Sequence, residues 1–156
     1  MGKARVLADI QGKPPRGYKK FIIACGEKII IELNLSYNCE LSMLLTDDKI
    51  MRALNRDHRG IDESTDVLSF AMNEGDKLIT PPSKKYILIG DVVISIERAI
   101  KQAQEQNHSV RKELALLTAH GILHLLGYDD ATDEGLNEMD KKGKDLVSKV
   151  DIDSIK

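Results

Sequence analysis

The stretch from His120 to Asp130, HGILHLLGYDD, constrains this chain more than any other. It continues a segment, Lys112 to Ala119, that reads as helix. Two histidines four apart on a helix lie one turn apart on one face, so both imidazoles reach a common point. Imidazole nitrogens are good zinc donors. Gly127 supplies the left-handed residue with which a helix stops and the chain turns back. Asp130, three residues further on, is then placed to close on the same point. A histidine pair among leucines is, by itself, more often a pair of core residues with satisfied nitrogens than a ligand pair. The glycine turn and the third donor favour a metal centre made by His120, His124 and Asp130. Three protein ligands leave one coordination position open, which is the catalytic arrangement.

The spacing H-x-x-x-H-x-x-G-x-x-D matches the metzincin protease signature with two changes. Gly121 stands where such a protease carries its glutamate base, and Asp130 stands where the third histidine would be. The rest of the composition narrows the class. A chain of 156 residues is long enough to bury a real core, and it is read as a single domain spanning 1–156. No apolar run reaches membrane-span length and no apolar leader marks secretion, so a cytoplasmic protein with no membrane partner is expected. Cys25 and Cys39 form no C-x-x-C and are expected to be buried, reduced thiols. The net charge of -2 means that any nucleic acid is bound through a local basic patch. Aromatic residues are only 4%, which argues against a base-stacking platform.

Along the chain, Arg5 to Ile10 suits a short edge strand, and Gln11 to Gly17 a loop. Phe21 to Leu35 fits a helix through Ile22, Cys25, Ile29 and Leu33, although Ile29-Ile30-Ile31 also suits a strand. Leu41 to Thr46 predicts a strand. Thr46 or Asp47 then caps a helix whose inner face carries Ile50, Met51 and Leu54, and which frays near His58-Arg59-Gly60. Asp66 to Phe70 predicts a strand. Asn73 to Lys85, with Gly75, Pro81 and Pro82, predicts an exposed loop. Tyr86 to Ser95 predicts a strand interrupted at Gly90-Asp91. Ser95 or Ile96 opens a helix to about Gln106, Ser109 caps the histidine helix, and Asp133 to Val150 predicts a last amphipathic helix. Strands in the first two thirds and helices in the last third predict an α+β fold. In it a small mixed sheet is covered by helices, with the histidine helix packed inside.

Three stretches together resemble the YbeY family of bacterial ribosomal-RNA maturation factors, which are endoribonucleases. The first runs from Leu54-Asn55 through Arg59 and Asp62 to Thr65-Asp66-Val67-Leu68-Ser69-Phe70. The second is Ile89-Gly90-Asp91-Val92-Val93-Ile94-Ser95, and the third is His120 to Asp130. The resemblance implies a zinc-dependent, single-strand-specific endoribonuclease. Its place would be in 16S ribosomal RNA 3'-end processing and ribosome quality control. Small-subunit ribosomal proteins and the GTPase Era are the implied partners. Arg59 resembles the family's functional arginine. The family's third ligand is usually histidine where this chain has Asp130, and Ser64 and Ala71 stand where prolines are common.

Aspartate is an acceptable zinc ligand, but its charge lowers the net positive field on a metal-bound water, which should then be less acidic. Two imidazoles and a carboxylate also suit Fe(II), Mn(II) or Ni(II), so zinc is expected with looser selectivity. Arg59 is the candidate cation for the phosphate, since a guanidinium makes bidentate phosphate contacts. It follows a helix end that also carries Arg52, Arg56 and His58. Glu113 lies on the histidine stripe two turns back, roughly 10 Å along the axis, suited to supporting a ligand rather than to proton transfer. Asp66 and Asp91 suit either ligand orientation or structural hydrogen bonds. Asp129 suits a partner of a ligand histidine or a competing ligand. His58, His108, Lys19-Lys20 and Lys84-Lys85 read as solvated surface. Three rival readings remain. One is a metalloprotease-like hydrolase, against which Gly121 speaks. Another is a non-catalytic ribosome-assembly factor with a structural metal. The third is an iron oxygenase with two histidines and one carboxylate, against which ligands drawn from one helix and its turn, rather than from a β-barrel, speak.

Overall fold

The computed structural model describes residues 2–72 and 85–156. The elements run β1 (Ala4–Ile10), α1 (Lys19–Glu32), β2 (Cys39–Thr46), α2 (Asp48–Arg59), β3 (Val67–Ala71) and β4 (Ile87–Ser95). They continue α3 (Ile96–Glu105), α4 (Val110–Leu125) and α5 (Asp133–Lys149), with a short 3-10 turn at Ile152–Ser154. The strands form one sheet in the order β1-β2-β4-β3. β1 and β4 both pair with β2 in parallel, and β3 pairs with β4 antiparallel. This is the expected α+β fold with a mixed sheet. The predicted loop at 73–85 lies outside the described residues except for Lys85.

Alternation along the strands decides which helix covers which face. Cys39, Leu41, Met43 and Leu45 of β2 point into the main core. There they meet Phe21, Ile22, Cys25 and Ile29 of α1, and Leu114, Ala115, Ile122 and Leu123 of α4. The three isoleucines that made α1 ambiguous resolve as helix, with Ile29 and Ile30 buried and Ile31 exposed. On the other face Met51 of α2 packs on Leu68 and Val93, with Leu44, Leu54 and Phe70 around them.

The sequence caps hold. Asp47 Oδ1 accepts the Ile50 amide at 2.9 Å, Ser95 Oγ the Arg98 amide at 3.2 Å, and Ser109 Oγ the Lys112 amide at 3.1 Å. Each satisfies an amide that the first helical turn leaves without an intrahelical partner. α2 ends at Arg59, inside the expected His58-Arg59-Gly60 stretch, where Gly60 (φ 73°) closes it in a left-handed cap. α1 differs from expectation, starting at Lys19 rather than Phe21 and ending at Glu32 rather than Leu35. The interruption at Gly90 is a bulge inside a continuous strand: Glu40 faces Leu88, but Leu41 faces Gly90. Gly90 has φ 147°, and a Cβ there would lie 2.3 Å from the Phe70 carbonyl oxygen and 2.8 Å from Leu125 Cδ2. The bulge thus lets β3 and the end of α4 close on the same point of β4.

Candidate metal centre

α4 is apolar nearly all round, as a helix enclosed by other elements must be. Its buried residues include Leu114, Ala115, Leu117, Ala119, Gly121, Ile122 and Leu123. Sheet, α1, α3 and α5 pack against it. Its close approach to the sheet depends on Gly121. A Cβ there would lie 2.7 and 2.9 Å from the two Val92 methyls and 3.2 Å from Ser69 Oγ. Ser69 Oγ also donates to the Gly121 carbonyl at 3.2 Å. No glutamate fits where a metzincin protease would carry its base.

The histidines emerge at the C-terminal end of this helix. Gly127 (φ 102°) reverses the chain. The Gly127 and Tyr128 amides donate to the carbonyls of His124 and Leu123, both at 3.1 Å, which satisfies the last turn. The chain then brings Asp130 back over the helix end. Asp130 Oδ2 lies 3.1 Å from His124 Nε2 and 3.7 Å from His120 Nε2. The two imidazole rings are 5.1 Å apart at 72°. All three residues offer donor atoms within 4.8 Å of one another, the one such group of three among the described residues.

The donor set fits a small divalent cation. With bonds of about 2.1 Å, neighbouring donors of a tetrahedral ion lie about 3.4 Å apart. The 3.1 and 3.7 Å separations bracket that value. The side chains are a quarter to two fifths exposed, so the site faces solvent and an open coordination position is reachable. Burial pushes the Asp130 carboxyl up, but the hydrogen bond from His124 and the charges of His124 and His120 outweigh it. The net effect holds the carboxyl below its ordinary range, ready as an anionic ligand.

The other candidates separate. Arg59 ends α2 on the opposite face of the sheet from α4. The ring of its neighbour His58 lies 5.0 Å from that of Phe70 of β3, tilted at 58°, and β3 is an edge strand, so the two faces meet at its margin. Arg52 is paired with Asp62 at 2.9 Å and Arg56 with Asp57 at 3.2 Å. The exposed Arg59 side chain makes no ion pair or hydrogen bond among the described residues. Asp66 proves structural: Oδ1 accepts the Val67 amide at 2.7 Å and Oδ2 the Gln102 side chain at 3.2 Å. Asp129 neither supports a histidine nor competes for the site, because its Oδ1 accepts the Ala131 amide at 2.9 Å in a local turn. Asp91 is half-buried in β4.

His108 is a correction. It is not a surface residue. It folds back from before the Ser109 cap, and its Nε2 lies 2.6 Å from Oε1 of buried Glu113. Glu113 therefore serves His108 rather than the metal ligands. Both line a cleft of about 910 Å³ along α4, between α3 and α5, with His120 in its wall. The cleft wall carries Asp66, Glu105, Glu113 and Asp140 against Lys112 and Lys144, a balance that does not attract phosphate. Sequence reasoning also missed Gly135. Its one signal was a glycine at the third position of a helix, three after the capping Thr132, where glutamate is favoured.

Residues 9–151 match the family model described as Endoribonuclease YbeY. The Endoribonuclease YbeY of Pelotomaculum thermopropionicum is 42% identical over 149 residues, 94% of this chain and 97% of that one. The Endoribonuclease YbeY of Desulforamulus reducens is 44% identical over 117 residues, 75% of this chain and 76% of that one. Among solved structures, the solution structure of TM1509 from Thermotoga maritima matches with a TM-score of 0.57 at 27% identity. That match covers 90% of this chain and 87% of that one. A helix carrying two histidines, a glycine turn returning a third donor, and this sheet are thus found in a chain that belongs to the YbeY family of endoribonucleases.

Proposed function

We propose that the protein is a metal-dependent, single-strand-specific endoribonuclease acting in 16S ribosomal RNA 3'-end processing and ribosome quality control. The observation that carries this reading is the convergence of His120, His124 and Asp130 at the solvent end of α4, in a chain of an endoribonuclease family. A divalent cation held there supplies Lewis-acid polarisation of a phosphoryl oxygen or an acidic water. We assign it as zinc, with iron, manganese or nickel accommodated because a carboxylate replaces an imidazole. His120 and His124 present their Nε2 atoms from a rigid helix, and Asp130 adds one negative charge to the donor set. Arg59 receives the phosphate. Among the described residues it is the guanidinium of the α2 end left without a carboxylate, whereas Arg52 and Arg56 are each paired. The α2 end also offers an anion a better surface than the acidic cleft along α4.

The substrate is a 16S ribosomal RNA precursor, the partners are small-subunit ribosomal proteins and Era, and the location is cytoplasmic. Among the described residues no helix is long and apolar enough to cross a membrane. The site lies at a solvent-facing helix end rather than in the core, which favours catalysis over a structural metal. The test compares wild-type and His124→Ala proteins on a structured ribosomal RNA and on casein. Chelator-sensitive RNA cleavage, lost in the variant while RNA binding persists and casein stays intact, is expected. Casein cleavage points to the protease-like alternative. Stability and ribosome effects falling together in the variant point to an assembly factor with a structural metal.

A further inference from the structure

Asp130 reaches the histidines only if the chain between α4 and α5 takes one path, and the first turn of α5 fixes that path. Thr132 caps α5, its Oγ1 accepting the Gly135 amide at 3.0 Å. A Cβ on Gly135 would lie 2.2 Å from the Asp129 carbonyl oxygen, 3.1 Å from Thr132 Oγ1 and 3.3 Å from the Asp129 carbonyl carbon. Gly135 has no positive φ, so its backbone does not require glycine. The only demand is room for the peptide that joins Asp129 to Asp130. That neighbour is backbone, which cannot swing aside as a flexible side chain does. Restoring ordinary contact at 3.4 Å means moving the carbonyl by about 1.2 Å. Asp130 is bonded to that carbonyl carbon, and its Oδ2 sits 3.1 Å from His124 Nε2.

We infer that Gly135, together with Thr132, is the positioning element that sets Asp130 onto His120 and His124. The inference rests on the reading of these three as metal ligands. Gly135 touches none of them through a side chain and acts only by letting the Asp129-Asp130 peptide rest on α5. The design runs against local helix preference, since alanine is the better helix former at a helical position.

The experiment is calorimetric titration of the full, metal-stripped chain with zinc chloride. Gly135→Ala should weaken zinc binding tenfold or more. In an Asp130→Ala background the same substitution should add nothing, because the group it positions is already gone. Thr132→Ser should retain wild-type affinity and Thr132→Ala should lose part of it. If Gly135→Ala fails to fold by circular dichroism, the Thr132 pair in both backgrounds gives the same reading. Zinc affinity untouched by Gly135→Ala, with a raised thermal midpoint, would show a role confined to the helix and overturn the inference. Equal weakening in both backgrounds would overturn it too, as general damage. If wild type and His124→Ala bind zinc alike, the metal reading itself falls and takes the inference with it. If they differ while Gly135→Ala matches wild type, only the inference falls.

Discussion

Replacing Gly121 by alanine puts a methyl 2.7 Å from a Val92 methyl that is itself fully buried. Overpacking of this kind costs about 1–3 kcal/mol. Gly121→Ala should therefore lower the urea midpoint, and Val92→Ala in the same chain should recover part of the loss. A Gly121→Ala protein as stable as wild type would show that α4 does not sit this close to β4. Arg59→Glu tests the other end of the proposed site. It should weaken RNA binding and cleavage severalfold or more while zinc content, read by elemental analysis, stays at the wild-type level. Undiminished cleavage would remove Arg59 from the mechanism. The sequence shows both residues but not their surroundings. Gly121 reads from spacing only as a missing base, because Val92 and Ser69 lie far from it along the chain. The buried contact of His108 leaves no local mark, because a residue before a helix cap can fold back onto the first turn, here onto Glu113.

The helix ends were the most legible elements, because a cap is a bond between residues two or three apart. Asp47 illustrates it through the Ile50 amide, which its carboxylate accepts at 2.9 Å, but the same carboxylate also accepts the Lys13 amide at 2.8 Å, from 34 positions away, a bond that no local pattern shows. The amide of Lys13 comes first, then that of Ile50, in holding the carboxyl below its ordinary 3.8. A carboxyl depressed by folding contributes stability that is present above its ordinary value and is lost as pH falls through the depressed one. Asp47→Ala should cost about 1 kcal/mol near neutral pH. The gap between the two proteins should shrink as pH drops below 3.8, in urea melts across that range. A gap independent of pH would mean that the carboxylate charge has no part in the cap. What could not be read locally was pairing. β1 and β2 join residues 35 positions apart, and neither the parallel register nor the order β1-β2-β4-β3 leaves a mark within one segment. The bulge at Gly90 looked like a break because a glycine is all the sequence shows of either.

For the molecule as a whole, two thiols serve as built-in reporters. Burial pushes both Cys25 and Cys39 up to about 12, so neither is a thiolate near neutral pH. Both are fully enclosed in the main core. The folded protein should leave a thiol reagent unreacted at pH 8, and both cysteines should label together once urea opens the core. Fast labelling of one in native buffer would reveal a local opening of α1 or β2. The same enclosure bears on the metal centre, because the helix that presents the imidazoles packs on the same core. The small kink opposite Glu40 and Leu41 is where this matters. Leu125, the residue after His124, seats against position 90, where a Cβ would lie 2.3 Å from the Phe70 carbonyl oxygen and 2.8 Å from Leu125 Cδ2. A bulkier residue in that notch would press first on β3 and then on the end of the histidine helix. An irregularity in a strand that contributes no ligand thus sets how closely the ligand-bearing helix end approaches the sheet.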